Sequence, residues 1–198
     1  RAIKKSSLLE LFFKKVENYQ IKKASGIVVL DQSGLEYLKN NYSNKFFCKV
    51  IPTSTNINNY KKIQKLEEKS INFVFLGGVS YPYLPYDALI FINQLVEIGF
   101  NCKISFINKG DHKKIRDICE RIDFPFERIT IQEFNNEKIP DELIKYDCGL
   151  VFIDKGEWLK MCSPTKVGEY LAAGLFVLSL EGLNVTDRLA KNYECIES

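Results

Sequence analysis

The sequence predicts an α/β fold built on a doubly wound parallel sheet, and three observations carry that prediction. Short runs of near-continuous apolar residues recur along the chain, as in Ile27-Val28-Val29-Leu30, Phe73-Val74-Phe75-Leu76 and Leu150-Val151-Phe152-Ile153. Strands with that pattern are buried on both faces, which is the condition of strands in a parallel sheet. Helix-length amphipathic segments separate the runs, as the crossover connections of parallel strands require. A chain of 198 residues, 45% hydrophobic and 27% charged, also has enough apolar material to cover both faces of such a sheet.

In chain order, residues 3–23 space Ile3, Leu8, Leu9, Leu11, Phe12, Phe13, Val16, Tyr19 and Ile21 at helical intervals, with Lys4, Lys5, Lys14, Lys15, Lys22 and Lys23 between them. A basic amphipathic helix of this kind either lies on an anionic membrane or covers a domain with its lysines in water. Gly26–Leu30 reads as a buried strand, Ser33–Tyr42 as a short helix, and Phe46–Ile51 as a second strand closed by Pro52. Thr53–Ser70 is polar and rich in Asn, Lys and Glu, the composition of a connection. The expected organisation is therefore a first unit over 1–52, a linker over 53–70 and a second unit over 71–198.

The second unit alternates strictly. Strands are predicted at 71–76, 102–107, 129–131, 148–153 and 176–180, and helices at 86–98, 112–122, 141–146 and 163–174, followed by a last helix and strand. Gly99 stops the first of these helices. Ligands of doubly wound sheets bind beyond the carboxyl ends of the strands, and both Gly77-Gly78 and Ser163–Lys166 fall at such ends.

Composition narrows the functional classes. Residues 1–70 hold 14 Lys+Arg against 6 Asp+Glu, a net of +8, whereas 71–198 hold 14 against 19, a net of −5, so the charge asymmetry follows the division into units. No run approaches the ~18 to 20 apolar residues of a membrane-spanning helix and no signal peptide opens the chain, which implies a cytoplasmic protein. The six cysteines have no C-x-x-C spacing and read as buried, reduced thiols. The sequence begins with Arg1 and closes on an isolated strand-like stretch, the expectation for a piece of a longer protein.

Several chemistries are excluded. Gly77-Gly78 lacks the G-x-G-x-x-G spacing of a dinucleotide site, and there is no Walker A lysine loop. The single histidine, His112, is predicted to be solvated beside Lys113 and Lys114, which leaves neither a histidine triad nor a zinc site. The basic first unit carries no zinc-finger or RNA-recognition signature, so no nucleic-acid partner is expected.

The stretch Ser163-Pro164-Thr165-Lys166-Val167-Gly168-Glu169-Tyr170-Leu171-Ala172-Ala173-Gly174 carries the most chemistry. Ser163 suits an N-cap, Pro164 the first helical position and Gly174 a left-handed C-terminal residue. A capping box would place Glu or Gln at position 166, but a lysine stands there, beside the positive end of the helix dipole. That placement is favourable when an anion is bound, because free first-turn N–H groups and an ammonium together cradle phosphate. Glu169 is one turn further on the same face, where a carboxylate accepts hydrogen bonds from ribose hydroxyls. The alternative is a capped core helix with a solvated Lys166–Glu169 pair.

This stretch resembles the nucleotide-binding segment of retaining GT-B glycosyltransferases, especially the bacterial family 4 enzymes of capsule and O-antigen synthesis, in which it reads S-P-T-K-x-x-E-Y-L-A-x-G-x-x-V-I. Three further stretches follow the family in order: Ala24–Leu30 with Lys49–Thr53, Phe73–Val79 with Tyr83-Leu84-Pro85, and Tyr146–Leu150. The resemblance implies a Rossmann-like C-terminal donor domain, preceded by the end of an N-terminal Rossmann-like acceptor-side domain. It also implies roles: Glu169 on the ribose, Ser163, Pro164, Thr165 and Lys166 on the diphosphate, the Gly77-Gly78 backbone near the donor phosphate or sugar, and Phe134 near the base. Lys166 would then stabilise the departing diphosphate without a metal or other cofactor. The implied partners are a nucleotide-diphosphate sugar and a saccharide or lipid-linked acceptor at the inner membrane face. The sequence departs from the family at Met161, where many members carry a glutamate, and at Ser80–Tyr83, where an Arg and a Lys are common; the departures point to a nucleotide-binding module without transfer as the other reading.

Overall fold

The computed structural model describes residues 8–42, 46–61 and 70–198. They fall into two compact units, 1–52 and 53–198.

The first unit holds helix α1 (Leu8–Lys23), strand β1 (Ile27–Val29), helix α2 (Gln32–Asn41) and strand β2 (Cys48–Val50). The strands pair in parallel with Ile27 opposite Cys48, so α2 is the crossover of one β-α-β unit. Asp31 caps α2, its carboxylate accepting the Ser33 N–H at 2.9 Å. The expected basic helix is described from Leu8 onward; Ile3, Lys4 and Lys5 lie outside the described residues. Of α1 only Ile21 is buried, while Leu8, Leu9, Phe12 and Phe13 are exposed.

The second unit runs β3 (Ile71–Leu76), α3 (Pro85–Glu97), β4 (Cys102–Ile107), α4 (His112–Arg121), β5 (Ile129–Gln132), α5 (Ile139–Leu143), β6 (Cys148–Val151), α6 (Thr165–Ala172), β7 (Phe176–Ser179), α7 (Asn184–Ala190) and β8 (Ile196–Glu197). Its six strands form one sheet in the order β5-β4-β3-β6-β7-β8, every pair parallel. The chain winds outward one way from β3 and then the other way from β6, which is the doubly wound topology the alternation predicts. The order reverses between β3 and β6, and a cavity lies beyond the carboxyl ends of β3, β4 and β5.

Alternate side chains of each strand enter two separate cores. Phe73, Phe75, Ile104, Phe106, Leu150 and Phe152 pack against Leu89 and Ile92 of α3 and Ile115 and Cys119 of α4. Val74, Leu76, Ile107, Val151 and Val177 take the opposite face, under Leu143 of α5, Val167 and Tyr170 of α6 and Leu183 beside α7.

Strands β3 and β4 have the bounds read from sequence, and the differences elsewhere have local causes. Strand β6 ends at Val151 rather than Ile153, because the following residues leave the sheet to bind the loop after β3: Leu84 N–H donates to Phe152 O at 3.0 Å, Asp154 N–H donates to Pro82 O at 2.8 Å, and Tyr83 bridges Ile153. Helix α5 begins at Ile139 rather than Asp141, with Pro140 in its first turn, a position where proline costs no hydrogen bond. Helix α6 begins at Thr165, and Pro164, not Ser163, is its cap residue. Ser163 is committed elsewhere: its carbonyl accepts the Thr53 hydroxyl at 2.5 Å, and its own hydroxyl is 2.9 Å from that oxygen. Residues 53–61 thus belong to the second unit, along α6. Of the thiols, Cys102, Cys119 and Cys148 are buried, Cys48 and Cys162 are half-buried, and Cys195 is exposed. Burial pushes the Cys119 thiol up to about 11.

Candidate functional site

The site is assembled around α6, and Tyr170 sets its position. The Tyr170 ring is fully buried and its hydroxyl accepts the Leu76 N–H at 2.8 Å, at the last residue of β3. Beneath the ring lies Gly149 of β6, where a Cβ would overlap the ring atoms. The helix therefore sits closer to the sheet than any residue with a side chain at 149 allows. Its far end closes at Gly174, with φ of +74°. Gly168 faces Thr55 of the segment that runs beside the helix.

With α6 so placed, Lys166 points inward. The residue is 5% exposed, and its Nζ is the one buried side-chain nitrogen or oxygen among the described residues that has no hydrogen-bond partner. The ammonium rests 4.0 Å from the ring centroid of Tyr83 and 5.0 Å from that of Phe75. Desolvation lowers its pKa to about 7, against a smaller opposing pull from the Glu169 carboxylate. A Cβ on Gly77 would stand 3.7 Å from Nζ, and Gly77 has φ of +101°, so the bare backbone after β3 passes directly over the lysine.

Glu169 is half-buried and burial raises its carboxyl pKa, with Lys166 pulling the other way. It lines a cavity of about 230 Å³ together with Leu76, Gly77, Asn108, Lys109, Glu133 and Phe134. Asn108 organises this edge. Its side-chain amide donates to Gly77 O at 2.9 Å, its Oδ1 accepts the Asp111 N–H at 2.8 Å, and its carbonyl is 2.9 Å from His112 Nε2. His112 is thus engaged at the start of α4 rather than solvated. Tyr60, whose phenol is raised by burial, adds a further group within electrostatic reach of Glu169.

The structure brings Gly77, Phe134 and Glu169 onto one cavity wall and sets Lys166 against Gly77. Gly78, Ser163, Pro164 and Thr165 do not line that cavity; Gly78 packs on the Tyr83 ring instead. Pro164 has no N–H, so the backbone donors at this end of α6 come from Thr165 and Lys166, whose N–H groups precede the first intrahelical acceptors. Met161 occupies a half-exposed position in the turn before α6. Sequence reasoning did not find Asn108, Tyr60 or the contribution of Tyr83. The signal for Asn108 was its place immediately after a strand at the carboxyl edge; nothing local marked Tyr60, and Tyr83 stood out only within the stretch that resembles the family, not as a partner of Lys166. Among the described residues no three His, Cys, Asp or Glu side chains gather as a metal site, and no helix is long and apolar enough to cross a membrane.

This geometry has relatives among solved structures. Sucrose-phosphate synthase from Thermosynechococcus elongatus is similar over 94% of this chain and 48% of its own, with a TM-score of 0.67 and 14% identity. TarM from S. aureus, solved as a variant with UDP, is similar over 85% of this chain and 32% of its own, at a TM-score of 0.63 and 10% identity. The pneumococcal O-GlcNAc transferase GtfA, solved with UDP and GlcNAc, gives 0.55 and 13% over 82% of this chain and 32% of its own. The chain spans from about a third to about half the length of these glycosyltransferases. The shared property is the fold, that of a GT-B Rossmann-like domain. No protein-family model matches the chain, and no curated protein matches it in sequence.

Proposed function

We propose that residues 53–198 form the donor-binding half of a glycosyltransferase of the retaining, family 4 kind, and that residues 1–52 end its acceptor-side domain. In the whole protein, a sugar would pass from a nucleoside diphosphate to a saccharide or lipid-linked acceptor during cytoplasmic synthesis of surface polysaccharide, with peripheral association at the inner membrane face. The observation that carries this reading is the Lys166 ammonium, buried without an acceptor against the Gly77 backbone at the carboxyl edge of a doubly wound sheet. An unpaired buried cation is costly, and an anion arriving beside Gly77 removes that cost.

The chemistry follows from the placement. When the bond between sugar and diphosphate breaks, negative charge builds on the leaving phosphate. Lys166 and the first N–H groups of α6 stabilise that charge, more strongly in the transition state than in the bound donor, which is the condition for catalysis. Glu169 takes the ribose hydroxyls and Phe134 the base, both on the cavity wall. No metal is needed in this scheme, because lysine and helix dipole supply the positive charge. Met161 favours a second reading, a nucleotide-binding module that no longer transfers sugar, since it stands where the resemblance places a carboxylate.

Calorimetric titration of UDP, GDP and ADP and their sugars against the chain, Lys166→Ala and Glu169→Ala tests the donor site. One nucleotide is expected to bind with Kd below ~1 mM, about −4 kcal/mol, and each variant to weaken it at least about tenfold. Absence of binding at that level by every nucleotide refutes the donor site. Binding without turnover in the whole protein selects the second reading.

A further inference from the structure

We propose that Tyr83 is a positioning residue of this site: its ring face is the counter-group that holds the Lys166 ammonium beneath Gly77 until the anion arrives. The proposal rests on the reading of Lys166 as the phosphate ligand.

A buried ammonium with no hydrogen-bond acceptor leaves its pocket or loses its proton unless something else favours the charge. The π face of an aromatic ring does so, and most effectively where water is excluded. Two rings meet this lysine, and they are held differently. Phe75 belongs to β3 and stacks on Phe106 with ring centroids 5.1 Å apart, so it is part of the sheet core. Tyr83 is the closer ring, at 4.0 Å, and it stands on the loop between β3 and α3. That loop is fixed without any ligand: Tyr83 N–H donates to Ser80 O at 3.0 Å, the two neighbours of Tyr83 bond to the chain leaving β6, and Lys114 Nζ donates to Ser80 Oγ at 2.9 Å. The resemblance places an Arg and a Lys in Ser80–Tyr83, so a π face stands where further cations are common.

The other charged or titratable groups around the site do not replace the ring. Glu169 shares the helix but makes no ion pair with Lys166, whose Nζ has no bonded partner. Tyr170 is also on α6, its phenol bonded to Leu76 and pushed far up by burial. Lys109 after β4 and Glu133 after β5 line the neighbouring cavity. The Tyr83 ring is therefore the closer of the two rings that favour the charged form, and the Glu169 carboxylate acts on the ammonium without a hydrogen bond to it.

The test compares Tyr83→Phe, Tyr83→Leu and Tyr83→Met, with the lysine side-chain NMR titration of the ligand-free chain and UDP affinity at pH 7.5 as readouts. Leu and Met are expected to lower the Lys166 midpoint by about one pH unit and weaken UDP about tenfold, whereas Phe keeps both near wild type. Met is the flexible replacement should Leu disturb folding. A midpoint that stays put or rises in Leu and Met, with UDP bound normally, overturns the role of Tyr83 alone. A wild-type chain that binds none of UDP, GDP and ADP overturns the phosphate reading beneath it.

Discussion

The two faces of the six-stranded sheet are built from the same strands and packed to opposite ends. Under α3 and α4 the packed side chains are apolar: Phe75 on Phe106, with Leu89, Ile92 and Ile115 fully buried above them, and of these Phe75 alone also meets the Lys166 ammonium. Under α6 the same sheet carries a buried phenol that hydrogen-bonds the end of β3, and beside it an ammonium that hydrogen-bonds nothing. A parallel sheet has no intrinsic asymmetry that requires this. The difference shows that one face supplies stability and the other gives some of it up to hold a charge ready.

The comparison is broken most severely at Gly149. The alanine methyl of Gly149→Ala would overlap a Tyr170 ring that its hydroxyl bond keeps from sliding away, so α6 must lift from the sheet. We expect a loss above about 4 kcal/mol, seen as absence of a cooperative thermal transition in soluble chain. A folded variant within about 1 kcal/mol of wild type would show that the fit of helix to sheet is not what seats Lys166.

On the apolar face, Ile92→Ala leaves a cavity at a fully buried site and is expected to cost about 2 to 5 kcal/mol in chemical denaturation, without altering nucleotide affinity. A change in affinity larger than threefold would mean that the faces are coupled, against the separation drawn here.

The sharpest contrast is Lys166→Met, a buried substitution expected to stabilise. It removes an unpaired charge and keeps the bulk, for a gain on the order of 1 to 3 kcal/mol at pH 6, while abolishing nucleotide binding. The pH dependence gives the sign. The Lys166 pKa is about 7 in the folded chain and near 10.5 in the unfolded one, so between those values the unfolded chain binds the extra proton and wild-type stability rises with pH. The advantage of Lys166→Met is therefore largest below pH 7 and disappears toward pH 10.5. Denaturation curves at pH 6, 8 and 10 measure it, and an advantage that grows with pH would contradict a buried, uncompensated ammonium.

How much of this was legible in the sequence depends on how local its cause is. Strands β3 and β4 were legible to the residue: β3 from the apolar run Phe73–Leu76 stopped by Gly77, and β4 from Cys102, Ile104 and Phe106 alternating with Lys103 and Ser105 before Asn108. Most of the helices were legible within a few residues, from periodicity and from punctuation at Gly99 and Gly174. The start of α6 was not, because Ser163 answers to Thr53, 110 positions away, and a hydroxyl bonded there is not free to cap a helix. For the site, the pattern from Ser163 to Gly174 marked Lys166 as a lysine at the positive end of a helix with Glu169 one turn further on, and left open an anion cradle or a solvated pair. The buried seat of the Lys166 ammonium comes from Phe75 and Tyr83, supplied by β3 and its loop, and from a glycine on β6. No spacing along α6 encodes those contacts.

The stitching of the loop after β3 to the chain leaving β6, through Leu84 with Phe152, Pro82 with Asp154 and Tyr83 with Ile153, makes the two segments a single unit of exchange. Grafting either loop alone onto another domain of this fold would strand half of a backbone zipper and carry the aromatic ring away from its lysine. Residues 77–84 and 152–166 would have to travel together, whether by recombination in evolution or in a designed chimaera.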